Sequence, residues 1–219
     1  MRLRWGRRTF AETDLLVMAI LNRTPDSFYD QGATFGDAAA LRAVEQAVAD
    51  GADIVDVGGV RAGQQGAAVD ADEEIRRTVP FLAAVRRRWP DLVLSIDTWR
   101  AGVAAAAVDA GADLINDSWS GYDPKLVDVA AATGAGLVCS HTGGLPPRTD
   151  PAGMAYDDVV ADVVATVTGL AERAVAGGVR RDGILVDPTH DFGKDTLHSL
   201  ELTRRLGELA ATGWPVLVA

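Results

Sequence analysis

Short apolar runs alternate along this chain with longer, Ala-rich stretches of helical periodicity. The pattern predicts strands at 15–21, 53–57, 92–96, 113–116, 135–140, 183–187 and 215–218, and helices at 37–50, 72–89, 100–110, 124–133, 156–177 and 198–211. The strand-like runs are apolar nearly throughout rather than alternating, as expected for a parallel sheet covered on both faces. Several helices close on one device: Asp50-Gly51-Ala52-Asp53, Ala110-Gly111-Ala112-Asp113 and Thr133-Gly134-Ala135 each put Gly at a helix end before the next strand. Gly213 before Trp214-Pro215 repeats it.

The result is a β/α repeat, either an open doubly wound sheet or a closed barrel. Two features favour the barrel. Polar residues stand at the C-terminal ends of nearly all strands instead of at one switch point, and no Gly-x-Gly-x-x-Gly turn follows the first strand. The expectation is an α/β fold of the TIM (β/α)8 type in one domain over 1–219. Seven strands are counted, so the eighth strand and last helices would lie outside these residues, and strands one and seven would present unpaired edges.

In such a barrel the C-terminal strand ends form the rim that holds ligands. Four runs place Asp or Asn there: Asn22-Arg23-Thr24-Pro25-Asp26, Ser95-Ile96-Asp97, Ile115-Asn116-Asp117 and Leu185-Val186-Asp187-Pro188. The loop from Asn22 to Phe28, taken alone, reads first as an ordered turn with Asn and Asp bonding backbone. Asn22 also has a sharper option, since its amide oxygen suits Mg²⁺, which takes few protein oxygens beside phosphates. Asp97, Asn116 and Asp187 can each be a helix cap or turn residue. Together they suit a pocket for a flat heterocycle, with carboxylates accepting from ring N–H groups and Asn supplying a donor and an acceptor.

Phe192-Gly193-Lys194 follows Asp187 in one loop: Phe192 is placed to stack on a flat ring, and Lys194 to cap a carbonyl or face solvent. His190 and Asp191 beside them read mainly as solvated groups. His141, ending a strand, reads either as a satisfied strand-end histidine or as a phosphate or water contact. Trp99 and Trp119 read as core or rim packing. No Ser-His-Asp array is legible, and three scattered His do not spell a zinc site.

Composition narrows the classes. With 219 residues, 48% hydrophobic, the chain can bury one sizeable core. A net charge of −10 argues against duplex nucleic acid or an anionic membrane as partner. The lone Cys139 excludes an internal disulfide and fits a reducing compartment. No apolar stretch reaches spanning length, and the start Met1-Arg2-Leu3-Arg4-Trp5 lacks a signal-peptide core, so a cytoplasmic location is expected.

Ala19 to Phe28, Asp53-Ile54-Val55-Asp56-Val57-Gly58-Gly59, Ser95-Ile96-Asp97-Thr98, Leu114-Ile115-Asn116-Asp117 and Asp187-Pro188-Thr189-His190-Asp191-Phe192-Gly193-Lys194 together resemble the dihydropteroate synthases, in order and across essentially the whole chain. The resemblance implies a (β/α)8 barrel that condenses 6-hydroxymethyl-7,8-dihydropterin diphosphate with p-aminobenzoate, releasing diphosphate. It implies that Asn22 binds Mg²⁺–diphosphate, that Asp97, Asn116 and Asp187 hold the pterin, and that the protein is a homodimer. The implied mechanism is dissociative, its central demand being stabilisation of the departing diphosphate.

That demand is where the chain departs from the family. The usual Gly-Gly-Glu-Ser-Thr-Arg-Pro-Gly is Gly58-Gly59-Val60-Arg61-Ala62-Gly63-Gln64-Gln65-Gly66 here, putting the family's Thr and Arg on Ala62 and Gly63. Arg61 lies two residues away from the diphosphate-contacting position, and a guanidinium's reach is directional. The family's Met-His-Met is Ser140-His141-Thr142, and its Ser-Arg-Lys and Arg-x-His motifs fall beyond Ala219. Three readings follow: a synthase, a paralogue that binds pterin without arylamine transfer, or, less favoured by the Thr24-Pro25-Asp26-Ser27-Phe28 loop, a methyltetrahydrofolate-binding methyltransferase domain.

Overall fold

The computed structural model describes residues 2–24, 37–61, 63, 68–149 and 154–219. In chain order the elements are β1 (Leu3–Trp5), β2 (Arg8–Phe10), β3 (Met18–Asn22), α1 (Asp37–Ala49), β4 (Ile54–Gly58), α2 (Ala71–Arg88), β5 (Val93–Asp97), α3 (Ala101–Asp109), β6 (Leu114–Asp117), α4 (Lys125–Thr133), β7 (Gly136–Ser140), α5 (Val159–Ala176), β8 (Ile184–Asp187), α6 (Thr196–Arg204) and α7 (Leu206–Ala210). Strands β3 to β8 pair in sequence order, all parallel, in one six-stranded sheet.

The two strand faces bury different cores. Outward residues such as Val55, Leu94, Ile96, Ile115, Leu137 and Val186 pack under the helices. The inward set Ile54, Val93, Leu114, Val138 and Leu185 forms one cluster with Leu3, Trp5 and Phe10 of the β1–β2 hairpin. A flat sheet would spread five such strands over roughly 20 Å, at about 4.8 Å per neighbour. Their convergence on one hairpin means the sheet curls into a barrel wall, closed from below. Trp5 is the plug: its Nε1 donates to Gly183 O at 3.0 Å. A Cβ at Gly136 would lie 2.3 Å from that nitrogen, so glycine is required there.

Boundaries follow local chemistry. Asp70, Asp158 and Asp195 accept backbone N–H bonds from the first turns of α2, α5 and α6, setting starts that periodicity had placed one to three residues away. Asp195 and His198 complete a capping box. The helix expected over 198–211 divides at Arg205 into α6 and α7.

Two expectations are corrected. The strand over 215–218 is a single bridge, Val216 beside Val186, with Val186 N donating to Pro215 O and Leu217 N to Val186 O, both at 2.9 Å. Pro215 has no N–H to extend the ladder. The hairpin was not expected, because its three-residue strands are too short to show a period.

Candidate functional site

Register assembles the site. Asn22, Gly58, Asp97 and Asn116 are successive Cα partners across β3, β4, β5 and β6, so one row of strand ends carries three polar side chains and a gap. Asn116 in turn pairs with Val138, and two residues later Ser140 pairs with Asp187. Strand residues alternate faces, so Asp187 points inward like Asp97 and Asn116. All three expected pocket residues therefore share the barrel interior.

The gap at Gly58 has a purpose. A Cβ there would lie 3.0 Å from Asn22 Oδ1 and 3.5 Å from Asp97 Oδ2. These two oxygens converge over the bare glycine backbone, so hard oxygen donors meet where the resemblance implies a cation. Pro25, Asp26, Ser27 and Phe28 of the same loop lie outside the described residues.

Asp97 and Asn116 are each held by a second residue. Ser118 Oγ donates to Asp97 Oδ1 at 2.7 Å. Asn116 Nδ2 donates to Asp56 Oδ2 at 3.0 Å. Burial raises both Asp56 and Asp97 above the usual carboxylate range, and Asp56 pushes Asp97 further. Asp187 Oδ1 accepts from Thr189 N at 2.7 Å, and burial moves that carboxyl up to about 6. Asp117, facing the turn, accepts from Trp119 N and Gly121 N and also rises, by burial, to about 6.

Lys194 is buried with all three ammonium protons spoken for, donating to His141 O, Thr189 O and Phe192 O at 2.8 to 3.0 Å. It caps carbonyls, one of its two expected roles, and thereby shapes the loop beneath Phe192. Burial lowers it to about 7. Phe192 meets Trp119 edge-on at 5.0 Å, and Trp119 meets Trp99 at 6.2 Å, so an aromatic run ties together the loops after β5, β6 and β8.

His141 stands apart from the row. It is fully buried, its Nε2 lies 2.7 Å from Asp162 Oδ1 on α5, and its ring packs on Tyr156. It is turned to the helix layer. Arg61 is half-buried in the loop after β4, and Ala62 beside it lies outside the described residues. Gly63 O accepts from Arg148 Nε at 3.1 Å, a bond from the loop after β7 to the loop after β4. Among the described residues, a Cβ built at Gly63 meets nothing within 4 Å.

Sequence reasoning missed Asp56, Ser118, Ser140 and Arg148 as site neighbours. For Asp56 the signal was present: two residues before Gly58, it shares that residue's face. For Ser118 and Arg148 no local pattern marks the contact. Among the described residues no group of three His, Cys, Asp or Glu side chains is arranged to hold a metal. No described helix is long and apolar enough to cross a membrane.

Comparison with known proteins places this geometry. A family model described as "Pterin binding enzyme" matches residues 18–219. Inactive dihydropteroate synthase 2 of Mycobacterium leprae is 60% identical over 218 residues, covering 98% of this chain and 74% of that protein. Dihydropteroate synthase of Streptococcus pyogenes is 39% identical, over 94% of this chain and 74% of its own. The crystal structure of Yersinia pestis dihydropteroate synthase in a sulfonamide drug complex superposes with a TM-score of 0.91 at 34% identity, covering 100% of this chain and 78% of that one.

Proposed function

Because this chain belongs to the family of pterin-binding enzymes, we propose that it is a dihydropteroate-synthase-like protein that binds a dihydropterin in the row of Asp97, Asn116 and Asp187 and is impaired in arylamine transfer. The observation that carries this reading is Asp97 and Asn116 in register, with Asp187 on the same face two residues further along, beside a second loop that reads Arg61-Ala62-Gly63. The row supplies what a flat N–H-rich ring needs, acceptors at fixed spacing on rigid strand ends. The loop lacks the Thr and Arg that the family uses for aminobenzoate and diphosphate.

The chemistry divides accordingly. Asp97, Asn116 and Asp187 would bind and orient the ring, and Phe192, locked edge-on by Trp119, would border it. Lys194 would hold the Phe192 loop in place instead of meeting the ring. The residues fit Mg²⁺: Asn22 Oδ1, beside Asp97 Oδ2, is a hard oxygen donor of the kind that binds the ion alongside phosphates. When bound, Mg²⁺ would supply charge neutralisation for a departing diphosphate. Arg61 and Arg148 bring guanidinium charge to the altered loop, but neither occupies position 63. Condensation with p-aminobenzoate would therefore be slow. A cytoplasmic homodimer completes the proposal, supported by the single buried Cys139 and by the family resemblance.

Calorimetry with dihydropterin tests the pocket. Asp97→Ala or Asp187→Ala is expected to weaken binding at least tenfold, about 1.4 kcal/mol; unchanged affinity in both variants would remove the assignment. Binding should also strengthen as pH rises through about 6, where the Asp187 carboxyl ionises and becomes a better acceptor, and this rise should vanish in Asp187→Asn. A condensation assay with p-aminobenzoate and Mg²⁺ tests the loop. Ala62→Thr with Gly63→Arg is expected to raise turnover, since among the described residues nothing lies within 4 Å of a Cβ at position 63. No gain would count against the loop as the cause of impairment.

A further inference from the structure

Asp56 is a buried acid that the pocket described above does not use directly. It sits on β4 two residues before Gly58, so it faces the same interior one layer lower, and it is 3% exposed. Its Oδ2 receives Asn116 Nδ2 at 3.0 Å. A carboxamide has two nearly isosteric orientations, and its hydrogen-bond partners decide between them. Here the partner decides. A carboxylate oxygen has no proton to give, and a proton on the other oxygen of Asp56 would still leave Oδ2 an acceptor. In that state the NH₂ of Asn116 turns down to Asp56 Oδ2, as their 3.0 Å contact has it, and its Oδ1 turns away from Asp56 toward the ligand row.

We propose that Asp56 is a positioning residue that sets the hydrogen-bonding sense of Asn116, so that Asn116 Oδ1 faces the ligand and selects a ring edge that carries an N–H group there. Asn116 Oδ1 and the Asp187 carboxylate then both ask for donors. A 2-amino-4-oxo pterin edge supplies them. A lumazine edge, with a carbonyl where pterin carries the amino group, meets an acceptor with an acceptor and leaves buried groups unpaired. The inference rests on the pterin reading and deepens it, from a flat heterocycle to one edge pattern.

The test is the ratio of affinities for dihydropterin and dihydrolumazine, measured by calorimetry on the whole chain. The unmodified protein is expected to prefer the pterin by about a hundredfold or more. Asp56→Asn keeps the shape but offers Asn116 either an N–H or an oxygen, so Asn116 is no longer held in one sense and can present its own N–H to the ligand. The preference should fall at least about tenfold, by weaker pterin and stronger lumazine binding. The double variant Asp56→Asn with Asn116→Asp restores the donor–acceptor sense and should recover the preference. Equal weakening of both ligands in Asp56→Asn, or no recovery in the double variant, would overturn the positioning role.

If the unmodified protein binds both ligands alike, the selection idea falls while the pocket stands. If it binds neither, the pterin reading fails and takes this one with it. Should Asp56→Asn not fold, the unmodified protein still decides. In ¹⁵N-labelled protein one carboxamide proton of Asn116 should exchange slowly with solvent, and fast exchange of both would overturn the proposal.

Discussion

Replacing Lys194 with Met is expected to destabilise the protein by about 3 to 5 kcal/mol at neutral pH. The ammonium lies buried among three carbonyls, of His141, Thr189 and Phe192. Met fills similar space but gives nothing back, so three buried acceptors lose their donors and Asp187 loses its nearby positive charge. The loop carrying Phe192 should then loosen, and dihydropterin binding weaken with it. Urea denaturation and calorimetry read the two effects; a variant as stable as the original would mean water replaces the ammonium freely.

The same residue predicts a pH trend. Burial lowers Lys194 to about 7 from its ordinary 10.5. Between those values the unfolded chain binds more protons than the folded one, so this group makes stability rise with pH across that window. The Met variant should lack that rise. A matching rise in both proteins would assign the trend elsewhere.

Removing Arg100 is expected to be comparably severe, about 3 to 5 kcal/mol for Arg100→Ala, because it strands a buried charge. Glu74 is wholly inaccessible and ion-paired to Arg100, whose guanidinium also donates to Val69 O at 2.7 Å and lies over Trp99 at 4.4 Å. The pair fastens the first turn of α2 to the loop that follows Asp97. Burial already holds the Glu74 carboxyl above its usual range, and loss of Arg100 raises it further. The folded variant then takes up a proton, so its deficit should shrink as pH falls. Glu74→Gln in the Arg100→Ala background should recover part of the loss by removing the charge. A thermal melt of the two variants at acid and neutral pH checks both statements. A deficit that does not change with pH, or no recovery, would show that the lost packing over Trp99 matters more than the charge.

Of these two sites, sequence inspection found Lys194, with carbonyl capping as one of its two expected roles, and did not find the Glu74–Arg100 pair. The acidic row was legible because its signal is local: an apolar run that stops at Asp97, Asn116 or Asp187 announces a strand end, and successive strands of a parallel barrel end on one rim. The second loop was legible only against the family pattern, since Ala62 and Gly63 fall on its Thr and Arg positions once Gly58-Gly59 anchors the count. Helix ends were read to within a few residues because Gly, Asp and Pro act on their own neighbours. The terminal segment 215–218 was overread, since an apolar composition suits a strand but Pro215 lacks the N–H that a ladder requires.

The sequence by itself determined the β/α repeat, the rim on which the candidate site residues stand and the identity of the polar strand ends. These depend on period, turn chemistry and the rule that parallel strands share a direction. Only the tertiary structure decided that Trp5 plugs the barrel, that His141 turns outward to Asp162, that Lys194 is spent on three carbonyls and that Asp56 grips Asn116 from below. Each of these joins residues dozens of positions apart or sets the direction of a side chain whose backbone position is common to either outcome. For Trp5, His141 and Asp56 the partner that fixes the direction comes from a distant element, and for Lys194 one of its three partners, His141 O, lies 53 positions away, so no local pattern carries these positions.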